Sequence, residues 1–319
     1  MPKVSVVITA YNSMDYLPET IESVLWQTFS DFEVLLVNDG SSDHIVQWAS
    51  ELVDSRVKLI SQENQGACVA RNTGIAQAQG EYVAFVDADD LWEPTKLEKQ
   101  LHYLETNLEV GLVHTWLTGI DRQSKPTGRV ICSQIEGDVW QQIVEKNQVA
   151  CSSVMVRRCC FETVGVFDKN LKFAEDWDLW IRFATRYHFA VIKEPLVRYR
   201  EHPNSKSKKY ASRLQDFQTI IEKAFASVPF ELLHLRNRSY AHINICIAWK
   251  CLQGSEIDYK KANHFRHLAT LHYPQIRYLR EYMRLQIAIA LMQCFGLNSY
   301  NKLLELFYLL RQRFSTTSY

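Results

Sequence analysis

Several features that would place a chain quickly are missing from these 319 residues. The eight cysteines contain no CxxC pair, which argues against metal binding by cysteine and leaves reduced thiols in a cytoplasm as the expectation. The vicinal Cys159 and Cys160 have no motif around them and read as structural thiols. No window reaches the ~18–20 uninterrupted apolar residues of a membrane span. The best, 285–297, is interrupted by Gln286 and Gln293. The apolar run at 4–10 is too short for a secretory signal and carries no cleavage-site pattern, so none is expected. Internal repeats and low-complexity tracts are absent. So is a GxGxxG after the first predicted strand, which disfavours a dinucleotide site.

Net charge is missing too, with 36 basic residues against 36 acidic ones, but the zero is a sum of unlike parts. From Lys206 onward there are 17 basic and 7 acidic residues, leaving 19 basic and 29 acidic before it. The two parts carry about +10 and −10, an asymmetry that implies different partners. The remaining composition, 47% hydrophobic and 23% charged, is that of a soluble globular chain long enough for a full core. It excludes collagen-like, disordered and small disulfide-rich classes.

The first 200 residues alternate strand and helix signals. Buried-type apolar runs predict strands at 4–10, 32–38, 57–61 and 82–86, and helical spacing predicts helices at 16–27, 44–52, 67–77 and 94–105. Such alternation implies βαβ units and a mostly parallel sheet. Further strands are expected at 112–117, 130–132, 152–157, 189–193 and 196–200, with a turn near Pro126 and a helix at 176–187. From Arg213 the alternation stops, Gly and Pro become sparse, and amphipathic helices take over. In 279–295 a stripe of Leu279, Met283, Ile287 and Leu291, with Arg277, Arg280 and Arg284 near its start, reads either as part of a bundle covering its own apolar faces or as an interfacial surface toward anionic lipid or an anionic acceptor; 303–314 is similarly amphipathic.

Ligands of open α/β sheets bind beyond the carboxyl ends of the strands. Those ends carry Thr9-Ala10-Tyr11-Asn12, Asn38-Asp39-Gly40 and Asp87-Ala88-Asp89. An aromatic ring, a lone carboxylate and a carboxylate pair are therefore expected around one crevice. Carboxylate oxygens are the hard ligands favoured by Mg²⁺ and Mn²⁺, which complete their shells with water and substrate phosphates. Asp is equally at home in turns and helix caps, so an isolated Asp-x-Asp would say little. Here it closes a series of four predicted strands.

The ordered set is more specific than any member. Ser5 to Asn12 (SVVITAYN), Val37 to Asp43 (VNDGSSD), Asn64 to Asn72 (NQGACVARN), Phe85 to Asp90 (FVDADD), Ala174 to Trp180 (AEDWDLW) and Tyr199 to His202 (YREH) with Ser205 occur in sequence. This resembles a family 2 glycosyltransferase with the GT-A fold over about residues 3–205. The resemblance implies an α/β GT-A domain at 1–210 with a C-terminal helical appendage at 211–319. It places Thr9, Ala10 and Tyr11 at the nucleobase and ribose, with Asp39 accepting from the base and Arg71 helping to hold the nucleotide. Asp87, Ala88 and Asp89 would lie beside ribose, diphosphate and metal, with Asp89 as the direct ligand and His202 as a further one. The family commonly has Asp where Asn38 stands, which leaves nucleotide preference open.

Within the Glu-Asp motif the resemblance makes Asp176 the general base, a role that competes with simple helix capping. Asp178, two residues on, would point elsewhere on a helix. Glu175, Trp177, Arg200 and Ser205 are assigned to the acceptor side or a lid. Trp177 and Trp180 read as core or as a sugar-stacking platform, with core the reading for Trp180. The run Ser205-Lys206-Ser207-Lys208-Lys209 is either a basic lid over diphosphate or a solvated charge run.

The implied activity is inverting transfer of a sugar from a nucleotide-diphosphate donor, UDP-linked in the first instance, to a hydroxyl of a glycan or lipid-linked acceptor. A divalent cation, Mn²⁺ or Mg²⁺, is the expected cofactor. The alternatives are a sugar nucleotidylyltransferase, disfavoured because no Gly-rich triphosphate loop follows strand one, and a non-catalytic nucleotide-sugar-binding scaffold. The basic third is expected to pack on itself, to form oligomer contacts or to meet acceptor or an anionic membrane surface. Nucleic acid is disfavoured because no binding motif accompanies the charge. The expected location is cytoplasmic, with peripheral contact at the inner face of the membrane.

Overall fold

In the computed structural model, residues 1–202, 214–252, 257–294 and 296 are described. The chain divides into two compact units, one of residues 1–143 and 147–202, the other of 144–146 and 203–319.

The first unit is built on a nine-stranded sheet, whose main path runs β3-β2-β1-β4-β8-β6-β9-β5. Its parallel half contains β1 (Val4–Ala10), β2 (Phe32–Asp39), β3 (Val57–Gln62) and β4 (Tyr82–Asp87), connected through α1 (Leu17–Leu25), α2 (Ile45–Ser50) and α3 (Ala67–Gln77). β1 and β2 form as continuous apolar runs because helices cover both faces. Val6, Val34 and Leu36 are fully buried, and α3 approaches β1 so closely that a Cβ on Gly74 would fall 2.4 Å from Val7 Cγ1.

The other half is mixed. The short β5 (Leu91–Trp92) and α4 (Lys96–Thr106) lead into β6 (Val110–Ile120), which pairs antiparallel with β7 (Pro126–Ile131) and β8 (Met155–Arg157) but parallel with β9 (His188–Arg200). β8 also pairs antiparallel with β4, and β5 with β9. Parallel and antiparallel strand pairings are therefore equal in number among the described strands, but the parallel ones, β6 with β9 included, are the longer, so the sheet is mostly parallel by paired residues while its second half is mixed in direction. The turn expected near Pro126 is there, at 121–125 with the Asp121 amide donating to the Lys125 carbonyl, and Pro126 itself begins the strand that follows it. The two strands expected at 189–193 and 196–200 are one long β9, whose register against β6 shifts between Thr115 and Leu117, beside Pro195. Helices α5 (Trp140–Glu145), α6 (Cys160–Val164) and α7 (Glu175–Ala184) complete this unit, apart from the last two residues of α5, which fall in the second.

The second unit contains α8 (Leu214–Phe225), α9 (His234–Cys251), α10 (Tyr259–His272) and a further helix over 280–294. Of the stripe at that last helix, the structure turns most outward, with Leu291 half-buried. Leu279, Met283 and Ile287 are 40%, 45% and 58% exposed, whereas Tyr282, Leu285, Ala288, Ile289 and Met292 are buried. The helix carries two apolar faces, and the larger, aromatic-containing one takes the core. Among the described residues no helix is long and apolar enough to cross a membrane. The segment 303–314 lies outside the described residues.

Candidate active site

Because β1 lies between β2 and β4, three strand ends open on one edge. Thr9 stands in register with Asp87 on one side and Val37 on the other, and Ala10 with Asn38. Thr9 is half-buried, Ala10 is buried, and Tyr11 projects at the rim with 56% of its surface exposed. The loop after β1 is laced to the loop after β2. Asn12 Oδ1 accepts from the Ser42 amide, Ser41 Oγ from the Asn12 amide, and Asp43 Oδ2 from the Met14 amide. Gly40 turns the chain at φ +70°, where a Cβ would meet the Asn64 nitrogen at 2.6 Å.

Asp39 is buried and heavily used. Its Oδ1 accepts from Gln62 Nε2 and the Gln65 amide, and its Oδ2 from the Gly66 amide, at 2.8, 2.9 and 2.8 Å. These bonds fasten the end of β2 to the entrance of α3. They leave acceptor capacity on Oδ2 alone.

Beyond β4, one oxygen from each of Asp87, Asp89 and Asp90 lies within 4.8 Å of the other two. Asp87 Oδ1 accepts from Arg71 Nη2 at 2.7 Å, and Asp89 Oδ2 lies 2.8 Å from His202 Nε2. Asp90 is buried, accepting from Ser152 Oγ at 2.5 Å and from the Arg200 amide at 2.9 Å. Burial first, then the charges of Asp89 and Asp87, push the Asp90 carboxyl well above the usual carboxylate range. Hard oxygens crowded this closely fit Mg²⁺ or Mn²⁺, and the part-exposed Asp87 and Asp89 are the pair open enough to ligate. Asp90 has both oxygens committed to the protein.

The imidazole of His202 rests on the Tyr16 ring, with centroids 5.0 Å apart, and the Arg200 guanidinium lies 4.8 Å from the same ring. Arg200 is 1% exposed and donates to the Asp89 carbonyl, Ser124 Oγ and Glu19. It braces the acidic turn from behind, which leaves no part of it to meet an acceptor.

Opposite the turn, α7 begins immediately after Ala174, a non-glycine residue held at φ 54°. Left-handed backbone at an L-residue costs about 1 kcal/mol and recurs at functional sites. Glu175 is buried and accepts from Arg71 Nη1 at 2.6 Å. A single guanidinium thus bonds both Asp87 and Glu175, as its planar fork allows. Asp176 is half-buried, its Oδ1 accepting from the Trp177 amide at 2.8 Å and from Asn147 Nδ2 at 3.3 Å. Burial first, then the charge of Glu175, push its carboxyl up to about 7.

Of the two readings of Trp177, core and sugar-stacking platform, the structure takes core, which also removes it from the acceptor side or a lid. It is 1% exposed and its indole N–H donates to the Ile143 carbonyl at 2.6 Å, so it is core. Trp180 is core as well, edge-on to Phe167 and Phe183. Asp178 is buried and pairs with Arg182 one turn on, away from Asp176. Ser205 and the basic run 206–209 lie outside the described residues. Sequence reasoning passed over Asp90, Ser152 and Asn147. The first directly follows the Asp-x-Asp and could have been flagged; nothing local marks the other two.

The sequence model of glycosyl transferase family 2 matches residues 5–160. An uncharacterized glycosyltransferase of Methanocaldococcus jannaschii is 32% identical over 224 residues, which cover 67% of this chain and 75% of the relative. The chain belongs to glycosyl transferase family 2. Another family relative, an uncharacterized glycosyltransferase of Rickettsia bellii, is 36% identical over 203 residues, covering 62% of this chain but only 29% of that protein. The chain therefore spans about a third of the length of some family 2 relatives it matches. Among solved structures, S. aureus TarS 1–349 in complex with UDP-GlcNAc superposes with a TM-score of 0.59 at 17% identity, covering 86% of this chain and 90% of that one. The mannosyltransferase PcManGT of Pyrobaculum calidifontis, in complex with GDP-Man and Mn²⁺, gives 0.58 at 18% identity, covering 92% and 87%. At such identities the likeness speaks for the fold, which is GT-A.

Proposed function

We propose that this family 2 chain is an inverting glycosyltransferase that moves a sugar from a nucleotide-diphosphate donor, UDP-linked, to a hydroxyl of a glycan or lipid-linked acceptor. The observation that carries the reading is the Arg71 bridge. It holds Asp87, on the donor side, and Glu175, next to the base, to one buried cation.

Tyr11 at the rim offers a face for the base to stack on, and Asp39 Oδ2 keeps acceptor capacity for a base N–H. Thr9, Ala10 and Ala88 bound the ribose. Asp87 and Asp89, with His202 beside Asp89, would hold a divalent cation, which when bound supplies positive charge to the departing diphosphate. Asp176 takes the proton of the acceptor hydroxyl while that oxygen bonds to C1 and the C1–O bond to the diphosphate breaks on the opposite face. A carboxylate with its proton affinity raised to about 7 is a stronger base than an ordinary Asp and is still ionised in part at neutral pH. Residues 1–210 would form the catalytic part, and 211–319 the part that meets acceptor, membrane or another subunit.

The test is release of nucleoside diphosphate from a panel of UDP-, GDP- and dTDP-sugars with Mn²⁺, for wild type and Asp176→Asn. Turnover by wild type, with loss of turnover but retained donor binding in the variant, supports the reading. A wild type that binds donors but never turns them over, with any acceptor hydroxyl offered, points to a binding scaffold.

A further inference from the structure

The outward face of the helix over 280–294 has no role in the reaction above. Its partner is nonetheless written in its chemistry. Arg280, Met283, Arg284 and Ile287 fall at helical spacing on one side, with Tyr278 and Arg277 just ahead of them. All six are exposed, Tyr278 by 71% and Ile287 by 58%. The helix cannot turn this face inward without unpacking the other. Tyr282, Leu285 and Ile289 are buried, and the Tyr282 hydroxyl accepts from Arg266 of α10.

Charge decides between partners. Glu281 is the single acidic residue in 277–294, and its carboxylate pairs with Lys146, so it does not offset the arginines. Neither Arg280 nor Arg284 forms an ion pair among the described residues. Guanidinium groups interleaved with Met and Ile, and a tyrosine at the border, make a surface that is apolar and cationic together. A purely apolar partner would leave the arginines desolvated without counter-charge. A purely polar anion would leave Met283 and Ile287 in water. An anionic bilayer satisfies both, because acyl chains take the apolar side chains while lipid phosphates meet the arginines, whose long stems reach back to the headgroups.

We propose that the face formed by Tyr278, Arg280, Met283, Arg284 and Ile287 docks this protein on an anionic lipid surface. The docking needs neither donor nor metal, so its success or failure is independent of the catalytic reading.

The experiment is flotation of the full chain, without nucleotide or Mn²⁺, with vesicles of phosphatidylcholine alone or mixed with phosphatidylglycerol. Wild type is expected to float with the anionic vesicles only, and to be released as salt is raised to ~0.5 M. Replacing Arg277, Arg280 and Arg284 with Gln should lower partitioning on the order of a hundredfold, at about fivefold per arginine. Met283→Ser with Ile287→Ser should lower it about tenfold or more at unchanged charge. These side chains are exposed, so all variants should keep the wild-type thermal midpoint. The salt series on wild type needs no variant. No flotation with anionic vesicles, or flotation that survives both sets of substitutions, overturns the proposal. So does a wild-type dimer in solution that fails to float and that Met283→Ser with Ile287→Ser dissociates, since a second copy would then own the face.

Discussion

Arg71 Nη1 donates to Glu175 Oε1 at 2.6 Å across 104 residues of chain. Both side chains are buried, and the other arm of the guanidinium reaches Asp87. The acidic turn after β4 and the start of α7 therefore share one cation.

Removing that cation strands a buried carboxylate. Arg71→Ala should lower unfolding free energy by about 3–5 kcal/mol, because an uncompensated buried charge remains. Arg71→Lys should recover only part, since an ammonium cannot fork to Asp87 and Glu175 together. Urea unfolding of the three proteins measures both effects.

Asp176 makes a prediction in pH. As a base it must be unprotonated, so log kcat should rise with pH up to about 7 and then level, and Asp176→Asn should lose both that limb and ~10²–10⁴-fold of the rate. Stability should run the other way. The folded carboxyl binds its proton more tightly than the unfolded one, from an ordinary value of 3.8 up to about 7. Its stabilising contribution is present below the unfolded value and is lost as pH rises through the folded one. Asp176→Asn should accordingly be more stable than wild type at pH 8, by about 1 kcal/mol, while the gap closes at pH 4. Rate profiles and urea midpoints across pH test the pair of signs.

Asp89 and Asp90 are neighbours with opposite expected phenotypes. Asp90 joins three segments, through Ser152 Oγ and the Arg200 amide, and both donors are left unpaired in Asp90→Ala. That variant should lose about 2–4 kcal/mol of stability with or without metal. Asp89→Asn is part-exposed and should unfold within about 1 kcal/mol of wild type while losing its response to Mn²⁺. Thermal midpoints of both variants with and without Mn²⁺ separate the roles.

Much of this architecture is legible in the amino-acid sequence. The strand at 4–10 and the helix at 67–77 have the predicted bounds, the first because a β-branched run buried on both sides leaves one option, the second because Gly66 marks its entry. β5 is two residues long and β8 three, and neither carries a period to detect. On the helix over 280–294 both faces are apolar, so periodicity named the stripe of Met283 and Ile287 but not the side on which the core would lie. The acidic residues could be named from order and spacing. Their division of labour could not, since Asp90, Ser152 and Arg200 meet only through pairing of distant strands, and Trp177 is drawn into the core by a carbonyl 34 residues away.

The most direct measurement is a thermal-shift series of this chain with UDP-, GDP- and dTDP-sugars, each with and without Mn²⁺. A ligand at about 100 times its Kd adds about 2.7 kcal/mol to the folded state, enough to move the midpoint by several degrees. The account predicts that UDP-sugars raise it in the presence of Mn²⁺, and that Asp89→Asn abolishes the rise. A midpoint that no nucleotide sugar moves, with or without metal, would contradict it.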